Sequence, residues 1–246
     1  MERAAIVTGA TRGIGRAIAQ RLAAEGFATA CFGRDQSAAQ ATAESIVAAG
    51  GRAQAVCGDV TNSNDLADLV TFTMAAYGRL DLIVNNAGIV IDKPVAEQTA
   101  DEFRKVIEVD LVAGFELSRL ARPHLAESQG CVINIGSMFG RLGAAGAVSY
   151  CAAKAALEGM TRALAAEWAR DQIRVLCVAP GYVDVGVSRQ ALDNPKLEAH
   201  ILKRIPLKKL VAADEVAALV AFLASSAARS MTGVVVPIDG GQTAAI

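Results

Sequence analysis

The chain is short of charge imbalance, of histidine and of long apolar runs, and each shortage excludes something. Its 246 residues carry 24 Lys and Arg against 25 Asp and Glu, a formal net charge of −1, so there is no basic footprint for a nucleic acid. No apolar run is long enough to span a bilayer, and Met1-Glu2-Arg3 begins no signal-peptide pattern. The expectation is a cytoplasmic protein with no membrane partner. The two histidines, His124 and His200, stand alone and read as ordinary side chains. The five cysteines (Cys31, Cys57, Cys131, Cys151, Cys177) are scattered and odd in number, with no metal-ligand spacing. They read as buried thiols of a reducing cytosol, and no metal is expected.

What is present is an alternation of two patterns. Short apolar runs at Ala4–Val7, Ala28–Phe32, Ala53–Cys57, Leu82–Val84, Val132–Ile135, Val175–Val178 and Val234–Pro237 are separated by helical periodicity. Continuous apolar strands between amphipathic helices mean a parallel sheet covered on both faces. Right-handed crossovers make it a doubly wound α/β fold of seven strands, with its ligand at the carboxyl ends of the strands. With no linker, repeat or low-complexity stretch, residues 1–246 read as one domain. Two helices, Leu111–Leu125 and Ala152–Trp168, are apolar on more than one face, so one face can pack on the sheet while the other needs cover.

Three local motifs carry chemistry. The first strand runs into Thr8-Gly9-Ala10-Thr11-Arg12-Gly13-Ile14-Gly15 and then into a helix with Ile14, Ile18 and Leu22 on one side. A strand, a glycine turn and a helix N-terminus together cradle a pyrophosphate, because the backbone can approach and the free N–H groups point outward. The spacing is G-x-x-x-G-x-G rather than the more familiar G-x-G-x-x-G. Leu82-Ile-Val-Asn85-Asn86-Ala87-Gly88 is a strand ending in small and amide residues, placed to close over the adenine-ribose side of a dinucleotide. Finally, Tyr150 and Lys154 are four residues apart, with Ser137 upstream. On a helix they share a face, and a nearby cation favours the phenolate form, which makes Tyr150 usable as a general acid or base.

In this order, the glycine motif, Asn85-Asn86-Ala87-Gly88, Ser137, Tyr150-x-x-x-Lys154, Pro180-Gly181 and the terminal Ile238-Asp239-Gly240-Gly241 resemble the short-chain dehydrogenase/reductase family over nearly the whole chain. The resemblance implies a single Rossmann-type domain and a reaction that moves a hydride between a nicotinamide and a ketone or secondary alcohol. By the same resemblance Ser137 would bond the substrate oxygen, Tyr150 would transfer the proton, and Lys154 would assist Tyr150 and bond the nicotinamide ribose. Gly9, Thr11, Arg12, Gly13, Ile14, Gly15, Arg34, Asp59, Val60, Asn86, Ala87, Gly88, Tyr150, Lys154, Pro180, Gly181 and Val183 would contact the cofactor, with Asp59 bonding the adenine amino group. Relatives pair the two doubly apolar helices across a two-fold axis, which implies a homotetramer or dimer through residues at about 101–126 and 149–170.

The second strand ends Cys31-Phe32-Gly33-Arg34-Asp35. An NAD enzyme would place an acid at the Gly33 position. Gly33 is open instead, and Arg34 and Arg12 suit a 2′-phosphate, so NADP(H) is expected over NAD(H); in the competing reading Arg34 is a solvated charge and Asp35 turns inward for NAD. Two departures stand out. Asp110 replaces the Asn that relatives use to hold a water linked to the active-site Lys, so it would either compete for Lys154 or keep that water bond. Val185 stands where a Thr usually bonds the carboxamide. Residues 186–212 are expected to form a substrate lid, with Val187, Leu192 and Leu197 apolar. The lid is also rich in Arg189, Lys196, Lys203, Arg204, Lys208 and Lys209 against Asp193 and Glu198. That positive surface suits an anionic substrate or acyl carrier protein, or is a solvated face or subunit contact. The leading expectation is a 3-oxoacyl-thioester or related carbonyl reductase, followed by a sugar-acid or polyol dehydrogenase of the gluconate type. A non-catalytic NADP-binding regulator comes third, since the trio of Ser137, Tyr150 and Lys154 has no purpose in one.

Overall fold

Seven strands form one sheet in the order β3-β2-β1-β4-β5-β6-β7, with every pair parallel. They are β1 (Arg3–Thr8), β2 (Phe27–Gly33), β3 (Ala53–Cys57), β4 (Leu82–Asn85), β5 (Cys131–Ile135), β6 (Arg174–Pro180) and β7 (Val235–Ile238). The structure is a computed structural model and describes residues 2–185 and 194–244. The inner strands carry no polar face because both sides are covered. Along β1, Ala5 and Val7 point to one layer and Ile6 to the other, all fully buried.

The helices are α1 (Gly13–Ala24), α2 (Gln36–Ala48), α3 (Ser63–Tyr77), α4 (Ala100–Ile107), α5 (Ala113–Ser128), α6 (Val148–Trp168), α7 (Pro195–Arg204) and α8 (Ala213–Ala224). Ile18 and Leu22 of α1, Ala43 and Ile46 of α2, and Val216, Val220 and Leu223 of α8 cover one face of the sheet. Leu66 and Leu69 of α3, Leu117 and Leu125 of α5, and Leu164 and Trp168 of α6 cover the other. Each such Leu or Ile contributes about 1.5–3 kcal/mol on burial, so the two layers hold the sheet that presents its strand ends.

Strand order reverses between β1 and β4: from β1 the chain builds outward to β3, then returns to add β4 on the other side. That switch opens a crevice at the carboxyl ends of β1 and β4. Two local features depart from the expected boundaries. Helix α6 starts at Val148 rather than Ala152, which brings Tyr150 inside its first turn. Between α4 and α5 the helix widens into a π turn at Glu108–Val112, so the regular α-helix begins at Ala113 rather than Leu111. A π turn inserts one residue into the helical register, and apolar periodicity does not reveal it. Two cysteines are also not the buried thiols expected: Cys57, at the end of edge strand β3, is exposed and Cys151 is half-buried, while Cys31, Cys131 and Cys177 are buried.

Candidate active site

The crevice is built first by glycines. Gly9 turns the chain out of β1 at φ +65°, a conformation that side chains rarely adopt. Gly15, in the first turn of α1, lies so close that a Cβ there would stand 2.1 Å from the Gly9 carbonyl and 2.4 Å from Asn86 Nδ2. The head of α1 is therefore seated directly on the ends of β1 and β4. The Asn86 side chain donates to Thr8 O at 2.9 Å and Gly9 O at 3.3 Å. The Asn86 and Ala87 N–H groups both donate to Thr8 Oγ1 at 3.0 Å. This leaves a bare backbone cradle at a helix N-terminus, with Arg12 exposed at its head. Such a cradle fits the pyrophosphate of a dinucleotide.

Across the crevice, Lys154 and Asp110 form an ion pair in the interior. Lys154 Nζ is 3.1 Å from Asp110 Oδ2, the two side chains being 5 % and 0 % exposed. The ammonium also donates to Ile135 O at 3.1 Å, and it lies 5.4 Å from the centre of the Tyr150 ring. Burial opposes the charge on Lys154, but the Asp110 carboxylate, followed by Tyr150, outweighs burial and holds the ammonium above its ordinary range. Asp110 is held in turn by the Ile89 N–H, which donates to its Oδ1 at 2.8 Å. Beside it, a small cavity is lined by Thr8, Val60, Asn85, Ala87 and Gly114. Gly88 also belongs to this contact, since a Cβ there would come within 2.8 Å of Asp110 Oδ2.

Ser137, buried, caps a single 3₁₀ turn at Met138–Gly140, with its Oγ accepting from the Phe139 N–H at 3.2 Å. It follows Ile135, whose carbonyl holds Lys154, so one strand end supplies both contacts. The turn lies flat on α6: a Cβ at Gly140 would meet Lys154 O at 3.0 Å. Arg141 then clamps it, donating from Nε to Glu158 Oε1 at 3.2 Å and Oε2 at 3.4 Å. Phe139 meets Tyr182 edge-to-face at 5.9 Å, which gives this side of the crevice an aromatic wall.

At the adenine end, Gly33 is open for a definite reason: a Cβ there would stand 2.5 Å from Thr11 Cγ2. Arg34 is mostly exposed, and its guanidinium is 3.9 Å from Asp59 Oδ2. Asp59 Oδ1 accepts from the Thr61 N–H and Oγ at 3.0 and 2.9 Å, and bonds from the Thr61 backbone, then the side chain and Arg34, hold its carboxyl below the usual range against partial burial. Asp35 caps α2, with Oδ1 accepting from the Ala38 N–H at 3.0 Å and Ser37 Oγ at 2.8 Å. Those bonds draw its carboxyl below the usual range.

A family model described as enoyl-(acyl carrier protein) reductase matches residues 9–243. The chain belongs to the short-chain dehydrogenase/reductase family. It is 38% identical to the 3-oxoacyl-[acyl-carrier-protein] reductase of Pseudomonas aeruginosa over 98% of this chain and 97% of that one. It is 39% identical to the cis-4-hydroxycyclohexanecarboxylate dehydrogenase of Sinomonas cyclohexanicum over 99% of this chain and 97% of the relative. Among solved structures, that of a putative NAD(P)-dependent gluconate 5-dehydrogenase from Beutenbergia cavernae, with bound NADP, superposes with a TM-score of 0.94 at 36% identity, covering 99% of this chain and 97% of that one. The protein is an oxidoreductase of the family's kind, using a nicotinamide cofactor and acting on CH–OH and C=O groups.

The structure places the remaining expected residues as follows. Gly181 packs on Asp239, and its N–H donates to Ile238 O at 2.9 Å. Val183 is buried and bridges to Val211. Val185 lies against the glycine turn, 3.5 Å from where a Gly13 Cβ would be. Ile14, half-buried, packs against the core. Of the expected lid, Val187, Arg189, Leu192 and Asp193 lie outside the described residues; α7 is within them, packing Ile201 and Ile205 near Tyr182. Sequence reading missed Thr8, Ile89, Arg141, Glu158 and a buried amide–hydroxyl chain. In that chain, Asn85 Nδ2 donates to Ser118 Oγ at 3.1 Å and Asn134 Oδ1 at 2.9 Å, and Asn134 Nδ2 to Thr161 Oγ1 at 2.9 Å. Polar residues inside apolar runs, as at Asn134 in Cys-Val-Ile-Asn-Ile, were the available signal. Among the described residues no cluster of three or more His, Cys, Asp or Glu could hold a metal, and no helix is long and apolar enough to cross a membrane.

Proposed function

We propose that the protein is an NADP(H)-dependent carbonyl reductase whose substrate is a 3-oxoacyl thioester, such as one carried on an acyl carrier protein, or a close relative of one. The observation that carries it is Lys154 beside the Tyr150 ring, on a helix that also holds the turn bearing Ser137. When bound, the nicotinamide supplies or takes the hydride. Ser137 holds the substrate oxygen in place and shares its developing charge. Tyr150 gives its phenolic proton to that oxygen in reduction and takes one back in oxidation. Lys154 is the cation beside the Tyr150 ring and would bond the ribose hydroxyls of a bound cofactor.

The phosphate preference is supported by Gly33, where Thr11 leaves no room for an acid, and by Asp35, committed to its cap. Arg12 and Arg34 then serve the 2′-phosphate. A homotetramer or dimer is supported by exposed apolar side chains on the two helices expected to pair, Phe115 on α5 and Val148 on α6, with Val112 in the π turn. Five free thiols suit a cytoplasmic setting.

A second reading, oxidation or reduction of a sugar acid, is favoured by the likeness to gluconate 5-dehydrogenase structures and by Lys196, Lys203 and Arg204 on α7, which would attract a carboxylate. Consumption of NADPH and NADH by the purified protein separates the two, with an acetoacetyl thioester and a keto-gluconate as substrates. Turnover of the thioester with NADPH is expected. Turnover of the keto-gluconate alone would replace the first reading with the second.

A further inference from the structure

The Asp110–Lys154 pair places a buried negative charge 3.1 Å from the cation that, among the described residues, lies beside the Tyr150 ring. A lone ammonium at that position would favour the phenolate; a neutralised one would not. We infer that Asp110 is the counter-ion that keeps Tyr150 in its protonated form, so that the site is set as a proton donor for carbonyl reduction rather than as a base for alcohol oxidation. Asp110 is thus a positioning residue acting through Lys154, and this rests on the reading of Tyr150 as the proton-transfer group.

The arrangement is a built one. Asp110 sits in the π turn and is anchored by the Ile89 N–H, and Gly88 leaves the space that the carboxylate fills. The other groups facing α6 leave the balance to this pair. Cys177 of β6 is a buried thiol, pushed up to about 12 by its burial, and is therefore neutral. Glu158 is taken up by Arg141 and Arg162, and on the α4 side Lys93 is paired with Glu102. Asp92, beside Gly146, is exposed to solvent, where its charge is screened.

The test is an alkaline titration of phenolate ultraviolet absorbance in the purified protein, which needs neither substrate nor cofactor. The chain has three tyrosines, and the signal missing from Tyr150→Phe belongs to Tyr150. In Asp110→Asn its midpoint should fall by about one pH unit, the size of effect expected from an uncompensated neighbouring charge. The alkaline limb of ketone reduction and the rising limb of alcohol oxidation should move down with it. The double variant Asp110→Asn/Lys154→Met, again without net charge at the pair, should titrate as the parent does. An unchanged midpoint in Asp110→Asn overturns the inference even if turnover falls, since a merely structural role lowers rate without moving the titration. A double variant titrating well above the parent overturns it independently, because it would mean that Lys154 acts uncancelled in the parent. A phenolate shift in a protein that turns over no thioester supports the counter-ion and counts against the substrate reading alone.

Discussion

Among the described residues, the buried charged side chains are Asp110, Lys154, Glu158 and Asp239, and all four lie after β4. The third of the chain before β4 buries polar side chains too, but they are threonines: Thr8, Thr29, Thr42 and Thr73. The earlier part brings glycines, hydroxyls and a helix N-terminus to the crevice, where close approach matters and fixed charge would only be costly to bury. The later part brings ionisable groups to a low-dielectric place where their charges act on one another strongly. One sheet carries both: the two parts pack into the same two core faces and meet at the strand ends where the order switches between β1 and β4.

The contrast can be broken most severely on the cofactor side. Gly15→Val puts branched carbon where 2.1 Å separates a Cβ from the Gly9 carbonyl. Since backbone cannot yield as a flexible side chain does, nicotinamide binding should be lost and the melting temperature should drop; intact NADPH binding by calorimetry would show that α1 is not seated as described. On the catalytic side, Tyr150→Phe should lower kcat by about 10²–10⁴-fold, the range for a lost general acid, while NADPH still binds. Near-normal turnover would dismiss Tyr150 as the proton donor. A smaller effect is expected of Arg34→Ala, where loss of a charge-assisted phosphate contact should raise the KM for NADPH by about tenfold, or ~1.4 kcal/mol, with the KM for NADH unmoved. Equal changes for both cofactors would remove the case for a 2′-phosphate contact.

The smallest expected effect concerns stability. Asp239, buried at the end of β7, accepts from the Thr243 N–H and hydroxyl and from the Gly241 N–H. Burial alone would raise its carboxyl, but these bonds prevail and hold it below the usual range. A depressed carboxyl stabilises the fold above its unfolded value and loses that contribution as pH falls. Asp239→Asn should therefore cost on the order of 1 kcal/mol at neutral pH, and denaturant midpoints of the two proteins should converge below about pH 4. A gap that stays constant through acid would mean that the charge contributes nothing.

Much of this was readable in the linear chain because its causes are local. The five inner strands are runs of residues that bury on both faces, and the structure moves the ends of the seven by one or two positions only, as where β1 extends over Arg3–Thr8. The Tyr150–Lys154 spacing needs no more than a helix to bring both side chains to one face. What stayed hidden depends on pairs far apart in sequence. The pairing of Asp110 with Lys154, 44 residues on, was one of two outcomes that the family resemblance offered, and nothing local to Asp110 chose between them; nothing in Ser-Met-Phe-Gly-Arg141 shows that Arg141 will close on Glu158. The exposure of Cys57 was equally hidden, since an edge strand and an inner one carry the same apolar letters.

The sequence by itself determined the parallel sheet, the glycine cradle and the Tyr150–Lys154 spacing, because periodicity, turn chemistry and helical spacing act within a few residues. Tertiary structure alone decided what surrounds that pair. It set the widened helical turn that carries Asp110, the open space at Gly88, and the burial that makes a single carboxylate at 3.1 Å count as heavily as the cation it faces, since electrostatic strength depends on distance and on exclusion of water, and only the folded chain sets either.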